Sequence, residues 1–256
     1  KELSMSKIYD ALQSVHRERL AAANKFEDQQ TPPFPPSGEE TILNSMPRFH
    51  EESELLALAQ NIAARLPNPY EKVIQFIGPH EGEGTSTLIR EFAVTVAKNS
   101  SKPVLLVEAD FKRPSQNHAF GIEAKPPLDF ALKEGKALDG AISQIEQSNL
   151  FLATLSSNFF RSLTERSFFH STDVWKTARN QFALILIDSA PVSASSDGPA
   201  ICEFVNGVIL VLAAEKTRAT VAQNVKKQII SREGNLLGIV YTKRKFHIPN
   251  CIHKHL

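Results

Sequence analysis

Tyrosine is nearly missing from this chain: 256 residues contain only Tyr9, Tyr70 and Tyr241. Cysteine is scarcer still, and Cys202 and Cys251 alone cannot make a disulfide framework, so a reducing, cytoplasmic setting is the expectation. There is no excess of one charge either. Twenty-nine Lys and Arg against 28 Asp and Glu leave a formal net charge of +1, so no global field draws the chain to nucleic acid or lipid. Long apolar runs are absent as well. The longest, such as Gly207–Ala214, fall far short of the roughly 20 residues that span a bilayer, and the N-terminus carries no apolar signal-peptide core. What is present is 42% hydrophobic residues, enough to bury a sizeable core.

The chain divides into three stretches. Residues 1–24 place Ile8, Ala11, Leu12 and Val15 at helical spacing, which predicts a short amphipathic helix. Residues 25–49 are polar and proline-rich and read as a flexible linker. From residue 50 to 256 apolar β-type runs alternate with helical stretches, beginning with a helix over Glu51–Leu66. Strands are expected at Val73–Ile77, Val104–Glu108, Phe151–Leu155, Ala183–Asp188, Val208–Ala213 and Leu237–Tyr241. Strands apolar nearly throughout belong in a parallel sheet covered on both faces. The fold class is therefore α/β, doubly wound and mostly parallel.

Residues 78–87, GPHEGEGTST, follow the first strand and open a helix, where backbone N–H groups would converge on phosphate. Measured against the P-loop pattern G-x-x-x-x-G-K-[ST], Gly78, Gly84 and Ser86 are expected to hold the places of its two glycines and its hydroxyl, but Thr85 stands where the lysine should be. A threonine offers one neutral hydrogen bond in place of a full charge, a loss on the order of 10³–10⁵ in phosphoryl-transfer rate by the scale of other single cations. Glu81 and Glu83 would add repulsion if they faced the nucleotide. Two later strands end in carboxylates: VLLVEAD delivers Glu108 and Asp110, followed by Lys112 and Arg113, and ALILID delivers Asp188. Aspartates at the C-terminal ends of parallel strands stand at the ligand crevice and suit Mg²⁺ or its bound water.

Taken in order, His80–Thr87, Val107–Pro114 and Ile187–Val192 resemble the Walker A, Walker A′ and Walker B segments of the bacterial tyrosine kinases (BY-kinases) of capsule and exopolysaccharide loci, relatives of the MinD/ParA P-loop ATPases. Pro127–Leu132 adds a further match. The resemblance covers roughly residues 70–250 and implies ATP and Mg²⁺ as cofactors. Gly82, Gly84, Thr85, Ser86 and Thr87 would cradle the nucleotide. Ser86, Asp110 and Asp188 would hold Mg²⁺, and Glu108, Asp110 and Asp188 would form the catalytic group, with Glu108 base-like toward an incoming tyrosine. Lys112 and Arg113 could offer charge to phosphate. The implied partner is a membrane-bound polysaccharide copolymerase or export component, with no nucleic acid involved, and homo-oligomers are compatible with the family.

The departures from the family point one way. The loop lysine is replaced by Thr85, the E-x-x-R-x-x-R assembly motif has no arginine counterparts in residues 51–66, Thr242 stands at the base-recognising asparagine, and the tyrosine-rich tail is missing. The expectation is a regulator resembling an ATP-dependent protein-tyrosine kinase but catalytically impaired, a pseudokinase with residual nucleotide binding. The alternative is a scaffold that binds no nucleotide. His247, Cys251, His253 and His255 match no standard zinc spacing and read as a solvated tail, and the Phe159-Phe160 and Phe168-Phe169 pairs read as core packing.

Overall fold

The computed structural model describes residue 43 and residues 46–68, 73–133, 137–157, 159 and 175–244. The expected N-terminal helix, the linker up to residue 42, Phe160, Phe168, Phe169 and the terminal His and Cys residues lie outside the described residues. The chain falls into two units, Lys1–Pro35 and Pro36–Leu256, and everything described belongs to the second.

Seven strands form one sheet: β1 (Val73–Ile77), β2 (Val104–Ala109), β3 (Ile142–Gln144), β4 (Leu150–Thr154), β5 (Leu184–Ser189), β6 (Gly207–Ala213) and β7 (Leu236–Thr242). Their order is β3-β4-β2-β5-β1-β6-β7, and every pairing is parallel except β3 with β4. The six expected strands are present with ends shifted by about a residue, the ordinary uncertainty of strand and helix limits. Strand β3 was not anticipated. Its three residues, ISQ, are too few and too mixed to show a period, and its antiparallel pairing at the sheet edge follows from the tight turn before β4.

Alternation along β6 shows why the interior strands read as unbroken apolar runs. Ile209 and Val211 enter one core with α1 (Glu52–Arg65) and α2 (Thr85–Lys98). Val208, Leu210 and Leu212 enter another with Val225 and Ile229 of α7 (Ala219–Ser231). Both faces are covered, so neither set of side chains can be polar.

Helix α2 packs Leu88, Ile89, Phe92, Ala93 and Ala97 on the sheet, with Phe92 tilted against Phe76 of β1 at 5.6 Å between ring centres. Helix α1 lies on α2 through Leu55 and Ile62, two turns apart on one face. The segment before α1 is fixed to α2 as well: Glu91 accepts from the Phe49 N–H at 2.9 Å, the His50 N–H at 3.1 Å and His50 Nδ1 at 2.7 Å. Leu43, in the stretch expected to be linker, is 1% exposed and belongs to this core. Shorter helices complete the chain: α3 (Gln116–Ala119), α4 (Leu128–Lys133), α5 (Lys176–Gln181) and α6 (Asp197–Ile201).

Candidate nucleotide site

The C-terminal ends of β1, β2 and β5 lie side by side, because β5 pairs with both of the others. Above them the chain leaves β1 at Ile77, turns through residues 78–84 and enters α2. Gly82 at φ 76° and Gly84 at φ 88° are left-handed, a conformation that costs glycine little and other residues roughly 1 kcal/mol or more. Gly84 is the N-cap, and no side chain caps the first turn of α2. The orphan N–H groups at the start of α2 are left for an anion.

Five residues separate Gly78 from Gly84, one more than the P-loop pattern has between its glycines. Gly78 serves close packing instead. A Cβ there would stand 2.8 Å from Thr85 Oγ1 and 3.2 Å from the Glu83 side chain. Its carbonyl accepts from the Val192 N–H at 3.0 Å, which ties the loop to the segment after β5.

Glu83 does not face the crevice. It is 1% exposed, and its carboxylate accepts from the Ala213 N–H at the end of β6 and from Thr217 Oγ1 at 2.8 Å. The Thr242 hydroxyl donates to the Glu83 carbonyl, so the residue at the expected base-recognising position is spent on holding the loop. Lys243 Nζ donates to the Gly82 carbonyl at 2.7 Å from the outer side. Glu81 pairs with Arg113 at the rim, and Lys112 Nζ donates to the Ala194 carbonyl at 2.6 Å. The two cations expected near phosphate are therefore already engaged.

A cavity of about 330 Å³ opens on this loop, lined by residues 80–87 with Arg90, Asp110, Arg113, Ser115, Ser189 and Pro191. Its size lies at the lower end of ligand pockets. Asp110 shapes the turn after β2 by accepting from the Lys112 and Arg113 N–H groups, each at 3.1 Å.

Glu108 and Asp188 are adjacent across the β2–β5 register and are 3% and 0% exposed. Glu108 accepts from the Ser115 and Gln116 N–H groups at 2.8 and 2.9 Å through one oxygen and from the Asp110 N–H at 3.3 Å through the other. With both oxygens engaged it fixes the chain after β2. Burial pushes its carboxyl up to about 7, the neighbouring Asp188 charge adds to this, and the three N–H donors oppose it. Burial also raises Asp188, against its bonds from Gln116 and Ser86 and the charge of Arg90.

Gln116 and Arg90 were not among the residues singled out from sequence. Gln116 Nε2 donates to Asp188 Oδ2 at 2.6 Å and to the Ser86 carbonyl at 3.1 Å, while its Oε1 accepts from Arg90 Nε at 2.8 Å. The available signal for Arg90 is a cation, next to Glu91, in the largely apolar run LIREFAV. Asp129 of the Pro127–Leu132 match is structural: it accepts from the Ser156 N–H at 2.8 Å and hydroxyl at 2.7 Å after β4.

The residues present fit a divalent cation in one respect: Asp188 Oδ1 is buried without a hydrogen-bond partner, on the carboxylate that the Ser86 hydroxyl also reaches. An unpaired carboxylate oxygen next to a hydroxyl is a hard-oxygen pair of the kind Mg²⁺ takes.

No protein-family model matches the chain. Tyrosine-protein kinase YwqD of Bacillus subtilis is 22% identical over 215 residues, 80% of this chain and 86% of its own. Tyrosine-protein kinase CpsD of Streptococcus pneumoniae is 27% identical over 191 residues, 73% and 82% of the two chains. The homologues of this chain are bacterial tyrosine-protein kinases. Among solved structures, the kinase domain of Escherichia coli tyrosine kinase ETK superposes with a TM-score of 0.66 over 82% of this chain and 90% of its own, at 16% identity. The ATP complex of a Cyanothece McdA variant reaches 0.56 over 68% and 71%, at 17% identity. These likenesses establish a P-loop NTPase-like fold shared with BY-kinases and ParA-type proteins.

Proposed function

We propose that this protein is a BY-kinase-like regulator of capsule or exopolysaccharide synthesis that retains a nucleotide in the crevice and transfers its phosphoryl group very slowly or not at all. Its partner would be a membrane-bound polysaccharide copolymerase or export component, as the kinship with capsule and exopolysaccharide kinases implies. Among the described residues no helix is long and apolar enough to cross a membrane.

The observation that carries this reading is the loop: left-handed Gly82 and Gly84 aim the uncapped start of α2 at a cavity lined by Ser86, Asp110 and Ser189, and Asp188, next in chain to Ser189, is buried with one oxygen unpartnered. Gly82, Gly84, Thr85, Ser86 and Thr87 would cradle the phosphates. Ser86 and Asp188 would hold Mg²⁺, with Asp110 at the rim. Mg²⁺ would neutralise charge on the phosphates when bound. Gln116 orients Asp188 for this, and Glu108 keeps Gln116 in place through its backbone.

Impaired turnover follows from charge. Phosphoryl transfer is mostly positioning and electrostatic stabilisation, and Thr85 lacks the lysine's cation. Titration calorimetry with Mg²⁺-ADP and Mg²⁺-ATP tests the reading. Micromolar binding, weakened at least ~10-fold in Asp110→Ala, is expected. Absence of binding at millimolar nucleotide would leave the chain as a scaffold that has kept the fold for its surfaces.

A further inference from the structure

Ser86 and Arg90 are one turn apart on the same face of α2, and helical side chains lean toward the N-terminus. Arg90 therefore runs back toward the first turn, where an anion would sit, and it lines the same cavity as Thr85, Ser86 and Thr87. Its position is fixed at one nitrogen only. Nε donates to Gln116 Oε1 at 2.8 Å, and Gln116 is itself held by Ser86 and Asp188. Its guanidinium makes no ion pair within 4.0 Å among the described residues, so the two terminal nitrogens remain for a ligand. Three other cations around the loop have partners: Arg113 makes an exposed pair with Glu81 at the cavity rim, where its charge is screened by water, Lys112 donates to the Ala194 carbonyl and Lys243 to the Gly82 carbonyl. Lys216 approaches Gly82 but does not line the cavity.

We propose that Arg90 takes the place of the absent loop lysine, supplying from the second turn of α2 the positive charge that a nucleoside diphosphate or triphosphate needs at its terminal phosphate. The proposal rests on the nucleotide reading above and goes beyond it by naming the cation. A guanidinium clamped at Nε suits this task, because its planar fork can meet two phosphate oxygens while Gln116 holds its orientation. The arrangement also explains how a loop can lose its lysine and keep its shape. Binding charge has moved along the helix from position 85 to position 90, to a place that holds phosphate but does not follow it through transfer.

The test is ADP binding to the full chain, measured by calorimetry for wild type, Arg90→Gln, Arg90→Lys, Thr85→Lys and the double variant Thr85→Lys/Arg90→Gln, with thermal midpoints as the folding control. Arg90→Gln is expected to weaken ADP by about 10- to 100-fold, the range of one charged hydrogen bond. Arg90→Lys should recover part of that loss, and Thr85→Lys should recover most of it in the Arg90→Gln background. Unchanged affinity in Arg90→Gln would overturn the proposal and leave the nucleotide reading standing. A loss that Thr85→Lys fails to recover would overturn it too, since the missing element would not be charge. If wild type binds nothing while Thr85→Lys binds, Arg90 does not do this work; if neither binds, both readings fall. Should Arg90→Gln not fold, Arg90→Lys against wild type decides, because a purely structural role tolerates the retained charge without any change in ADP affinity.

Discussion

Glu108 and Asp188 stand next to each other on neighbouring strands, both out of water, and the cost of keeping two charges there sets how the protein responds to pH. Glu108 is raised to about 7 from an ordinary 4.5, so the folded state holds its proton more tightly than the unfolded chain does. Between those values the folded state binds more protons, and stability falls as pH rises. The contribution is whole below the unfolded value and is lost through the folded one. In metal-free buffer the thermal midpoint of wild type should drop by about 5 °C between pH 5 and pH 8, and Glu108→Gln should remove the Glu108 share of that drop and leave the share that the raised Asp188 carboxyl contributes. An identical slope in the variant would mean that Glu108 is ionised throughout. The sequence placed both carboxylates at strand ends, which follows from their apolar runs. Their burial was not legible, because it depends on Ser115 and Gln116 folding back over β2.

At the scale of elements, α2 does two jobs with adjacent residues. Arg90 turns toward the crevice, and Glu91 turns toward the segment before α1, where it takes three hydrogen bonds from Phe49 and His50. Beside this latch lies an apolar cavity of about 220 Å³ that both residues line. Glu91→Ala would strip partners from half-buried donors, each worth roughly 1–3 kcal/mol when left unmade. The expected result is a thermal midpoint lower by about 3–8 °C and faster amide exchange at Phe49 and His50, with α7 unaffected. Unchanged exchange at those two amides would show that the core around Leu43 and Leu55 holds the segment without Glu91. Elements were the most legible level: six of seven strands and α1 lie where apolar periodicity puts them, since interior strands covered on both faces leave no room for polar alternation. The latch was not legible, because a glutamate in an apolar helix face gives no sign of its partner 41 residues away.

At the scale of the molecule, the crevice exists because the sheet order sets β5 between β1 and β2, so three strand ends with Ser86, Asp110 and Asp188 converge although they are far apart in sequence. Sequence order alone does not contain that adjacency; the resemblance to BY-kinases supplied it, and the parallel register realises it. Thr85 was readable as a defect. Its compensation was not, because Arg90 reaches the loop only through the geometry of a helix turn and the anchoring Gln116. The central claim is that this crevice holds nucleotide without efficient phosphoryl transfer. It is tested most directly by single-turnover transfer from γ-labelled Mg²⁺-ATP with protein in excess, following label on the chain and released phosphate in wild type and Thr85→Lys. The predicted result is ATP bound by both proteins and transferred or hydrolysed on the order of 10³-fold faster in Thr85→Lys. Labelled phosphotyrosine appearing on wild type as fast as on Thr85→Lys would contradict it.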